Sequence, residues 1–232
     1  MKVLIIIPAY NEEKSISDVI GQIRLNLPEV DIVVVNDGSS DATSIKAATA
    51  GARVIDLPFN LGIGGAMQTG YLYAKNNSYD IAIQVDGDGQ HNPIYIYNLM
   101  EPVIQGKADM VIGSRFVKET YYKPSLARKV GIIFFSSLVR FLTNQKVKDT
   151  TSGFRVVNKE IIQYFSNHYP TDYPEVDVLI RLYKKGFRVI EMPVEMQQRK
   201  TGKSSITPLR SIYYIVKVTI SLLIGSLKII DE

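Results

Sequence analysis

The sequence predicts an α/β fold in which a mostly parallel β-sheet is flanked by helices. Short apolar runs alternate with segments of helical period through the first half of the chain, which is the pattern of parallel strands joined by crossover helices. Polar clusters follow three of these runs, at the strand ends where open parallel sheets bind their ligands. With 232 residues, 46% of them hydrophobic and 22% charged, the chain suffices for one large domain and is neither disordered nor collagen-like.

Each element of the first half follows from its hydrophobic period. Short aliphatic runs indicate buried strands, whereas apolar residues three or four positions apart indicate helices. The predicted strands cover 3–7, 31–35, 53–57, 80–85 and 110–112, and the predicted helices cover 16–27, 42–50, a segment after the glycine-rich turn 60–65, and a segment that begins at Asn92-Pro93. No repeat or linker divides this part of the chain.

The second half is less regular. It contains predicted helices over 125–142 and 176–183, a strand over 188–192, a polar segment over 197–207 and a final helix from Pro208. We therefore expect one domain over residues 1–207 and an appended amphipathic helix over 208–232.

Composition and charge exclude several classes of protein. The chain has no cysteine and only two histidines, which excludes disulfides and thiolate chemistry and argues against a zinc enzyme. Residues 1–116 contain 8 Lys/Arg and 13 Asp/Glu, a net charge of −5, whereas residues 117–232 contain 19 and 10, a net charge of +9. This asymmetry has two interpretations. It is either a random scatter of solvated charges, or it indicates an acidic half that can bind a metal and a basic half that faces anions or a membrane surface.

We expect neither a signal peptide nor a membrane-spanning segment. Only six apolar residues precede Pro8, and no stretch reaches about 18 uncharged apolar residues. We expect a cytoplasmic protein with no nucleic-acid partner.

The sharpest local feature is Asp86-Gly87-Asp88, which follows the fourth predicted strand. Two carboxylates separated by one small residue can face the same hard cation, and Mg²⁺ or Mn²⁺ bound in this way keeps positions for diphosphate oxygens. Gln90 offers a further oxygen ligand. Calcium fits less well, because an EF-hand loop would need a glutamate where Tyr97 stands. His91 is either another ligand or a cap of the turn.

Two nucleotide-binding motifs are absent. Met67 occupies the third glycine position of a dinucleotide fingerprint, and Gln197 occupies the first glycine position of a P-loop. The basic half offers other anion binders. Arg115 follows the fifth strand, the segment 149–155 combines hydroxyls with Arg155, and the basic segment 197–205 either closes over a diphosphate or is a solvated loop.

The ordered motifs resemble those of family 2 glycosyltransferases. They are 8–13, 36–41, 86–91, 113–115, 151–155 and 199–205, and together they span residues 2–206. The chain is most similar to synthases of dolichyl- or polyprenyl-phosphate sugars, which have the GT-A fold. This resemblance implies a nucleotide-sugar donor, a divalent ion and inversion at the anomeric carbon.

The same resemblance assigns residues to the site. It implies that Pro8, Tyr10, Glu12 and Asp37 hold the base and ribose, that Asp86, Asp88 and Gln90 lie at the metal and diphosphate, and that Arg115, Arg199 and Lys203 neutralise phosphates. The donor is expected to be a UDP-sugar, with a GDP-sugar as the alternative.

The acceptor decides whether the reaction needs a base. A lipid phosphate is already anionic and needs only positioning, whereas a sugar hydroxyl must lose a proton to a carboxylate. Asp177 is the expected base for a saccharide acceptor, with Glu175 as the other candidate. Both residues are equally compatible with a charged helix N-terminus. We expect transfer to polyprenyl phosphate; the alternatives are extension of a saccharide and an inactive subunit that binds nucleotide sugars.

The last segment has the pattern of a membrane-surface helix. Arg210, Lys217 and Lys228 share one helical face opposite an apolar face, and basic residues also flank the apolar run 132–135. A helix that covers the domain's own core would show a similar pattern. We expect a peripheral protein on the inner face of the membrane, in contact with polyprenyl phosphate and with either a small membrane-protein partner or further copies of itself.

Overall fold

The structure, a computed structural model, describes residues 1–117, 126–171 and 174–197, without the side chains of residues 126–128. The predictions made for 198–232, including Arg199, Lys203 and the final helix, lie outside the described residues. The strands are β1 (Val3–Ala9), β2 (Asp31–Asn36), β3 (Arg53–Asp56), β4 (Ile81–Gln84), β5 (Met110–Ser114), β6 (Arg155–Asn158) and β7 (Val189–Pro193). The helices are α1 (Ile16–Asn26), α2 (Thr43–Thr49), α3 (Gly62–Asn76), α4 (Ile96–Ile104), α5 (Leu126–Thr143), α6 (Lys159–His168) and α7 (Pro174–Lys184), and a 3₁₀ turn (Pro93–Tyr95) precedes α4.

The described strands form one seven-stranded sheet in the order β3-β2-β1-β4-β6-β5-β7. β4 is the central strand, and β1 beside it pairs in parallel with β2 and β4. β6 runs antiparallel to both of its neighbours, β4 and β5. The predicted mostly parallel sheet flanked by helices is therefore confirmed, and β6 with α6 are two elements that the sequence pattern did not predict.

Both faces of the sheet are buried, which explains the continuous apolar runs of its strands. Alternate side chains of β1 serve different layers: Leu4 and Ile6 face one apolar layer, and Ile5 and Ile7 face the other. The first layer is covered by α3, α5, α6 and α7, and the second by α1, α2 and α4.

The glycine-rich turn at the start of α3 has a structural role. Gly62 has a φ of +80°, a conformation that glycine adopts without strain. A Cβ on Gly64 would lie 2.3 Å from the backbone oxygens of Pro170 and Thr171, so only glycine allows this approach. The turn thus brings the segment that leads into α7 close to the start of α3.

Candidate active site

An open cleft of about 310 Å³ lies at the carboxyl edge of the sheet. Its walls come from the ends of β1 and β4, the start of α3, the loop before β6 and the first turn of α7, which places the cleft where parallel sheets bind ligands. The lining residues are Pro8, Glu12, Ile63, Gln84, Asp86, Gly87, Asp88, Thr151, Gly153 and Glu175.

The cleft wall is acidic. Four of its residues carry a carboxyl group, namely Glu12, Asp86, Asp88 and Glu175, and none of the lining residues within the described ranges is a lysine or arginine. The carboxylates of this wall would repel a nucleoside diphosphate unless a cation compensated the negative charge of both groups. The wall therefore favours a divalent ion as part of any site for a nucleotide donor.

The two aspartates predicted to bind metal face the same cleft. A local hydrogen bond fixes the turn that carries them, since the Gln90 backbone N–H donates to Asp88 Oδ1 at 3.0 Å. Gly89 has a φ of +77°, which lets the chain reverse directly after Asp88. The Gln90 backbone oxygen accepts a hydrogen bond from Gln197 N–H at 2.9 Å, so the end of the described chain lies beside this turn.

The surroundings of Asp86 leave its carboxylate little room. Gln84 Nε2 donates to Asp86 Oδ1 at 3.4 Å, and a Cβ on Gly153 would lie 3.0 and 3.1 Å from the two carboxylate oxygens. Gln84 was not among the predicted site residues. The sequence signal for it was a polar residue within the apolar run 81–85, and the structure shows that this glutamine is buried.

A divalent ion fits this donor set. Mg²⁺ and Mn²⁺ prefer hard oxygen ligands, and Mg²⁺ is commonly held by one or two carboxylates together with substrate phosphates. Asp86 and Asp88 supply two such carboxylates within one cleft. Among the described residues, no group of three or more His, Cys, Asp or Glu side chains is arranged to hold a metal, so Asp86 and Asp88 would share the ion with other oxygen ligands.

Arg115 is paired with a buried acid at the border of the cleft. Its Nε donates to Asp149 Oδ2 at 2.7 Å and one of its terminal nitrogens donates to Asp149 Oδ1 at 2.6 Å, a bidentate arrangement. The same terminal nitrogen donates to the cleft residue Thr151 at 2.8 Å. The expectation was a cation available to phosphates; the structure places Arg115 one contact behind the wall and held by Asp149.

The first turn of α7 presents Glu175 to the cleft, and not Asp177. Asp177 forms an ion pair with Arg181 at 2.9 Å and is not part of the cleft lining. Burial raises the pKa of Glu175 above its ordinary value of 4.5, and the nearby Asp86 carboxylate acts in the same direction. Of the two candidate bases, the structure thus places Glu175, and not Asp177, in the cleft.

The residues expected to hold the base and ribose are placed in different ways. Pro8 and Glu12 line the cleft, and Tyr10 is half exposed at the same edge. Asp37 is buried at the start of α3, where its two carboxylate oxygens accept the backbone N–H groups of Leu61 and Gly62 at 2.7 and 2.9 Å. Its carboxylate thus caps a helix N-terminus, which is a different contact from the expected one with base or ribose.

Arg155 also differs from its expected place. It was expected to contact phosphates, but it is the first residue of β6 and is 1% exposed. It donates hydrogen bonds to the backbone oxygens of Ser152 at 2.8 Å and Glu175 at 2.7 Å. Arg155 therefore ties the loop before β6 to the first turn of α7 and so shapes the cleft from behind.

No helix among the described residues is long and apolar enough to cross a membrane.

Comparison with known proteins identifies the family to which the chain belongs. The sequence profile of the family described as glycosyl transferase family 2 matches residues 4–165. The undecaprenyl-phosphate mannosyltransferase of Micrococcus luteus is 31% identical over 219 residues, which cover 89% of this chain and 88% of that protein. The UDP-N-acetylglucosamine–dolichyl-phosphate N-acetylglucosaminyltransferase of Methanococcus voltae is 30% identical over 83% of this chain and 84% of that protein.

Solved structures show the same architecture. Glucosyl-3-phosphoglycerate synthase from Mycobacterium tuberculosis, in complex with Mn²⁺, UDP and phosphoglyceric acid, superposes with a TM-score of 0.74 at 21% identity, covering 97% of this chain and 78% of that one. This likeness supports the GT-A fold. With the profile match over most of its length, the chain belongs to glycosyl transferase family 2.

Proposed function

We propose that this protein is an inverting glycosyltransferase that moves one sugar from a nucleotide-sugar donor to polyprenyl phosphate. The observation that carries the proposal is the acidic cleft at the carboxyl edge of the sheet, with Asp86 and Asp88 side by side on its wall. The names of the relatives from Micrococcus luteus and Methanococcus voltae add the acceptor class, a lipid-linked phosphate.

In this proposal, two residues of the site bind the metal ion and others stabilise the negative charge of the diphosphate. Asp86 and Asp88 would hold a Mg²⁺ or Mn²⁺ ion, which supplies stabilisation of the leaving diphosphate when bound. Arg115 adds positive charge behind Thr151, held in a fixed orientation by Asp149. Gln197, the last described residue, lies beside the turn 86–91, which carries Asp86 and Asp88. In the sequence, Arg199 and Lys203 follow in a basic segment, which suits contact with the outer side of the diphosphate.

The acceptor phosphate makes a strong base unnecessary, because it is already an anionic nucleophile near neutral pH. Glu175 then has the role of a wall residue that contacts the sugar or the acceptor. Its presence in the cleft favours one second candidate function, extension of a saccharide, in which Glu175 would take the proton of an acceptor hydroxyl.

We propose UDP as the nucleotide. The relative from Methanococcus voltae is named for a UDP-sugar donor, and the superposed synthase holds UDP with Mn²⁺. Thermal-shift measurements with Mn²⁺ and either UDP or GDP compare the two nucleotides directly, because a ligand that binds only the folded state raises the melting temperature.

We further propose that the protein lies peripherally on the inner face of the membrane and contacts it through α5. Three exposed apolar side chains, Val130, Ile133 and Phe141, form a stripe with exposures of 58%, 57% and 82%. On the opposite face of α5, Phe135 and Val139 pack into the core.

The charge around α5 favours an anionic bilayer as the partner of this stripe. Residues 126–148 contain five Lys or Arg and no Asp or Glu. Lys129 and Arg140 are exposed and lie about 20° apart around the helix, on one flank of the stripe. A second copy of α5 would bring two such basic segments together, whereas anionic lipid headgroups would be attracted to them.

Replacing Asp88 with Asn tests the transfer reaction. With Mn²⁺, a UDP-sugar and polyprenyl phosphate, we expect the wild type to form a sugar-linked lipid and the Asp88→Asn variant to lose at least about 100-fold in rate, since a charged metal ligand is removed. Asp18→Asn, an exposed aspartate on α1, is the matched control and should retain full activity. Transfer at the wild-type rate by Asp88→Asn would contradict the proposal, and absence of transfer by every form would favour an inactive binding subunit.

A further inference from the structure

We propose that His91 is a positioning residue, which holds the metal-binding turn and the Asp86 carboxylate in the orientation that a divalent ion requires. The proposal rests on the proposed function, in which Asp86 is a metal ligand. His91 itself does not contact the ion.

The first observation is that one imidazole ring contacts two parts of Asp86. His91 Nδ1 accepts a hydrogen bond from the Asp86 backbone N–H at 3.0 Å. Because Nδ1 accepts, the proton of the neutral ring is on Nε2, and Nε2 lies 3.5 Å from Asp86 Oδ2. The ring therefore joins the two ends of the turn 86–91 and faces the carboxylate with its N–H group.

The second observation is that the ring is itself fixed. The His91 side chain is only 3% exposed and stacks on Phe154, with a centroid separation of 4.7 Å and an interplanar angle of 9°. Phe154 is fully buried in the same apolar layer as α1. The ring cannot rotate away from Asp86 without breaking this contact.

The other neighbours of Asp86 complete the arrangement. Gln84 donates to Oδ1, while His91 faces Oδ2, so each carboxylate oxygen has a donor group on its own side. Gly153, next to Phe154, lies so close that even a methyl group would crowd the carboxylate. Asp86 is thus oriented by protein groups before any ion arrives, which is how precise metal and catalytic sites are held.

The same contacts decide between the two roles considered for His91. A metal ligand needs a free lone pair on one ring nitrogen. Here the Nδ1 lone pair accepts the Asp86 N–H and Nε2 carries the proton. His91 therefore acts on the site through Asp86 and not as a ligand.

The test compares the Mn²⁺ affinity of two substitutions by electron paramagnetic resonance, with UDP present. His91→Phe keeps a flat ring against Phe154 but removes both nitrogens, and we expect a loss of about 10- to 100-fold in Mn²⁺ affinity, the usual effect of removing an outer-shell partner. His91→Asn places an amide oxygen near the position of Nδ1 and should restore most of the affinity. His168→Phe, on α6 and exposed, is the matched control and should bind Mn²⁺ like the wild type.

Affinity is measured at a temperature where each variant is folded, which separates positioning from general stability. If His91→Phe lowers the melting temperature but binds Mn²⁺ within twofold of the wild type, His91 is merely structural and the proposal is overturned. Equal losses in His91→Phe and His91→Asn would overturn it as well. If His91→Phe does not fold, His91→Leu takes its place in the comparison. A wild type that binds no Mn²⁺ would instead refute the metal assignment, and this proposal with it.

Discussion

At the scale of single residues, the cleft depends on close approaches that only small or buried side chains allow. Asp86 lies between Gln84 and Gly153, and Arg115 is held by Asp149 behind the cleft wall. These contacts orient the charged groups before a substrate binds. The site is therefore sensitive to changes that leave every charge in place.

Gly153→Ala tests this sensitivity. The new methyl group would lie 2.9 Å from Gln84 Nε2 and 3.0 Å from Asp86 Oδ1, so the carboxylate has to move. A displacement of about 1 Å at a reacting centre can cost roughly 100-fold in rate, and we expect kcat/KM to fall at least tenfold.

The control for Gly153→Ala is Gly21→Ala. Gly21 lies on α1 and has nothing within 4 Å of an added Cβ. This change should leave activity unchanged and raise stability by about 0.5–1 kcal/mol, because alanine is favoured over glycine inside a helix. Wild-type kinetics for Gly153→Ala would show that Asp86 needs no such tight enclosure.

At the scale of elements, β6 inserts antiparallel between β4 and β5 and brings a second set of loops to the cleft. A polar cluster at the opposite edge of the sheet fastens this insertion. Asp109, directly before β5, accepts hydrogen bonds from the Arg188 side chain and backbone and from Asn158 at the end of β6. One carboxylate thus joins the segments of three neighbouring strands.

The Asp109 cluster predicts a pH dependence of stability. Hydrogen bonds from Arg188 hold the pKa of Asp109 below its ordinary value of 3.8. Because the folded pKa is lower than the unfolded one, the ionised carboxylate stabilises the fold above about pH 4, and this contribution is lost as the pH falls through the folded pKa.

Urea unfolding between pH 3 and pH 6 measures this effect. Asp109→Asn should destabilise the protein at pH 6 and flatten the decline of stability toward pH 3. Asp18→Asn, exposed on α1, should follow the wild-type curve. Parallel curves for the wild type and Asp109→Asn would show that Asp109 does not contribute to the acid sensitivity.

The elements also show what could be predicted from the sequence. Strands β1, β2 and β4 were predicted because both sheet faces are buried, which leaves an unbroken aliphatic run in each. β6 was not predicted, because it has four residues, begins with Arg155 and contains only Val156 and Val157 as apolar residues. A hydrophobic period cannot be recognised over so short a segment. The sequence also does not distinguish a buried arginine from an exposed arginine that binds anions.

The site was predictable to a similar extent. Asp86, Asp88, Pro8 and Glu12 were expected at the cleft and line it. Which of Glu175 and Asp177 faces the cleft depends on the rotation of α7 about its axis. Residue spacing does not give this rotation, but the structure does, because Glu175 lines the cleft and Asp177 does not. The burial of Asp37 under the start of α3 likewise required knowledge of tertiary contacts.

At the scale of the whole molecule, the two halves of the sequence carry opposite net charge. The net charge of −5 over residues 1–116 includes Glu12, Asp86 and Asp88 of the cleft, and the +9 of the remainder includes the basic residues around α5. This asymmetry is consistent with the two proposals, a metal–diphosphate site in the cleft and contact of α5 with an anionic bilayer.

Vesicle binding tests the membrane surface. We expect the protein to bind vesicles that contain phosphatidylglycerol more tightly than vesicles of phosphatidylcholine alone. Replacing Ile133 and Phe141 with serine should weaken this binding about tenfold or more, because a buried large apolar side chain contributes about 1.5–3 kcal/mol. Leu25→Ser removes an apolar side chain on α1 that is about as exposed as Phe141 and should leave binding unchanged. Equal losses in both variants would show that α5 is not the contact, and concentration-dependent self-association lost with Ile133 and Phe141 would identify a second copy as the partner.

We propose that the acceptor's phosphate is the nucleophile, and one comparison of acceptors tests this most directly. The enzyme is given Mn²⁺ and a UDP-sugar with either polyprenyl phosphate or the same polyprenol without its phosphate, for both the wild type and Glu175→Gln. We predict a sugar-linked lipid only from the phosphorylated acceptor, and its formation by Glu175→Gln within about tenfold of the wild-type rate, because no proton has to be removed. Transfer to the dephosphorylated lipid, lost at least about 100-fold in Glu175→Gln, would contradict this and identify Glu175 as a general base.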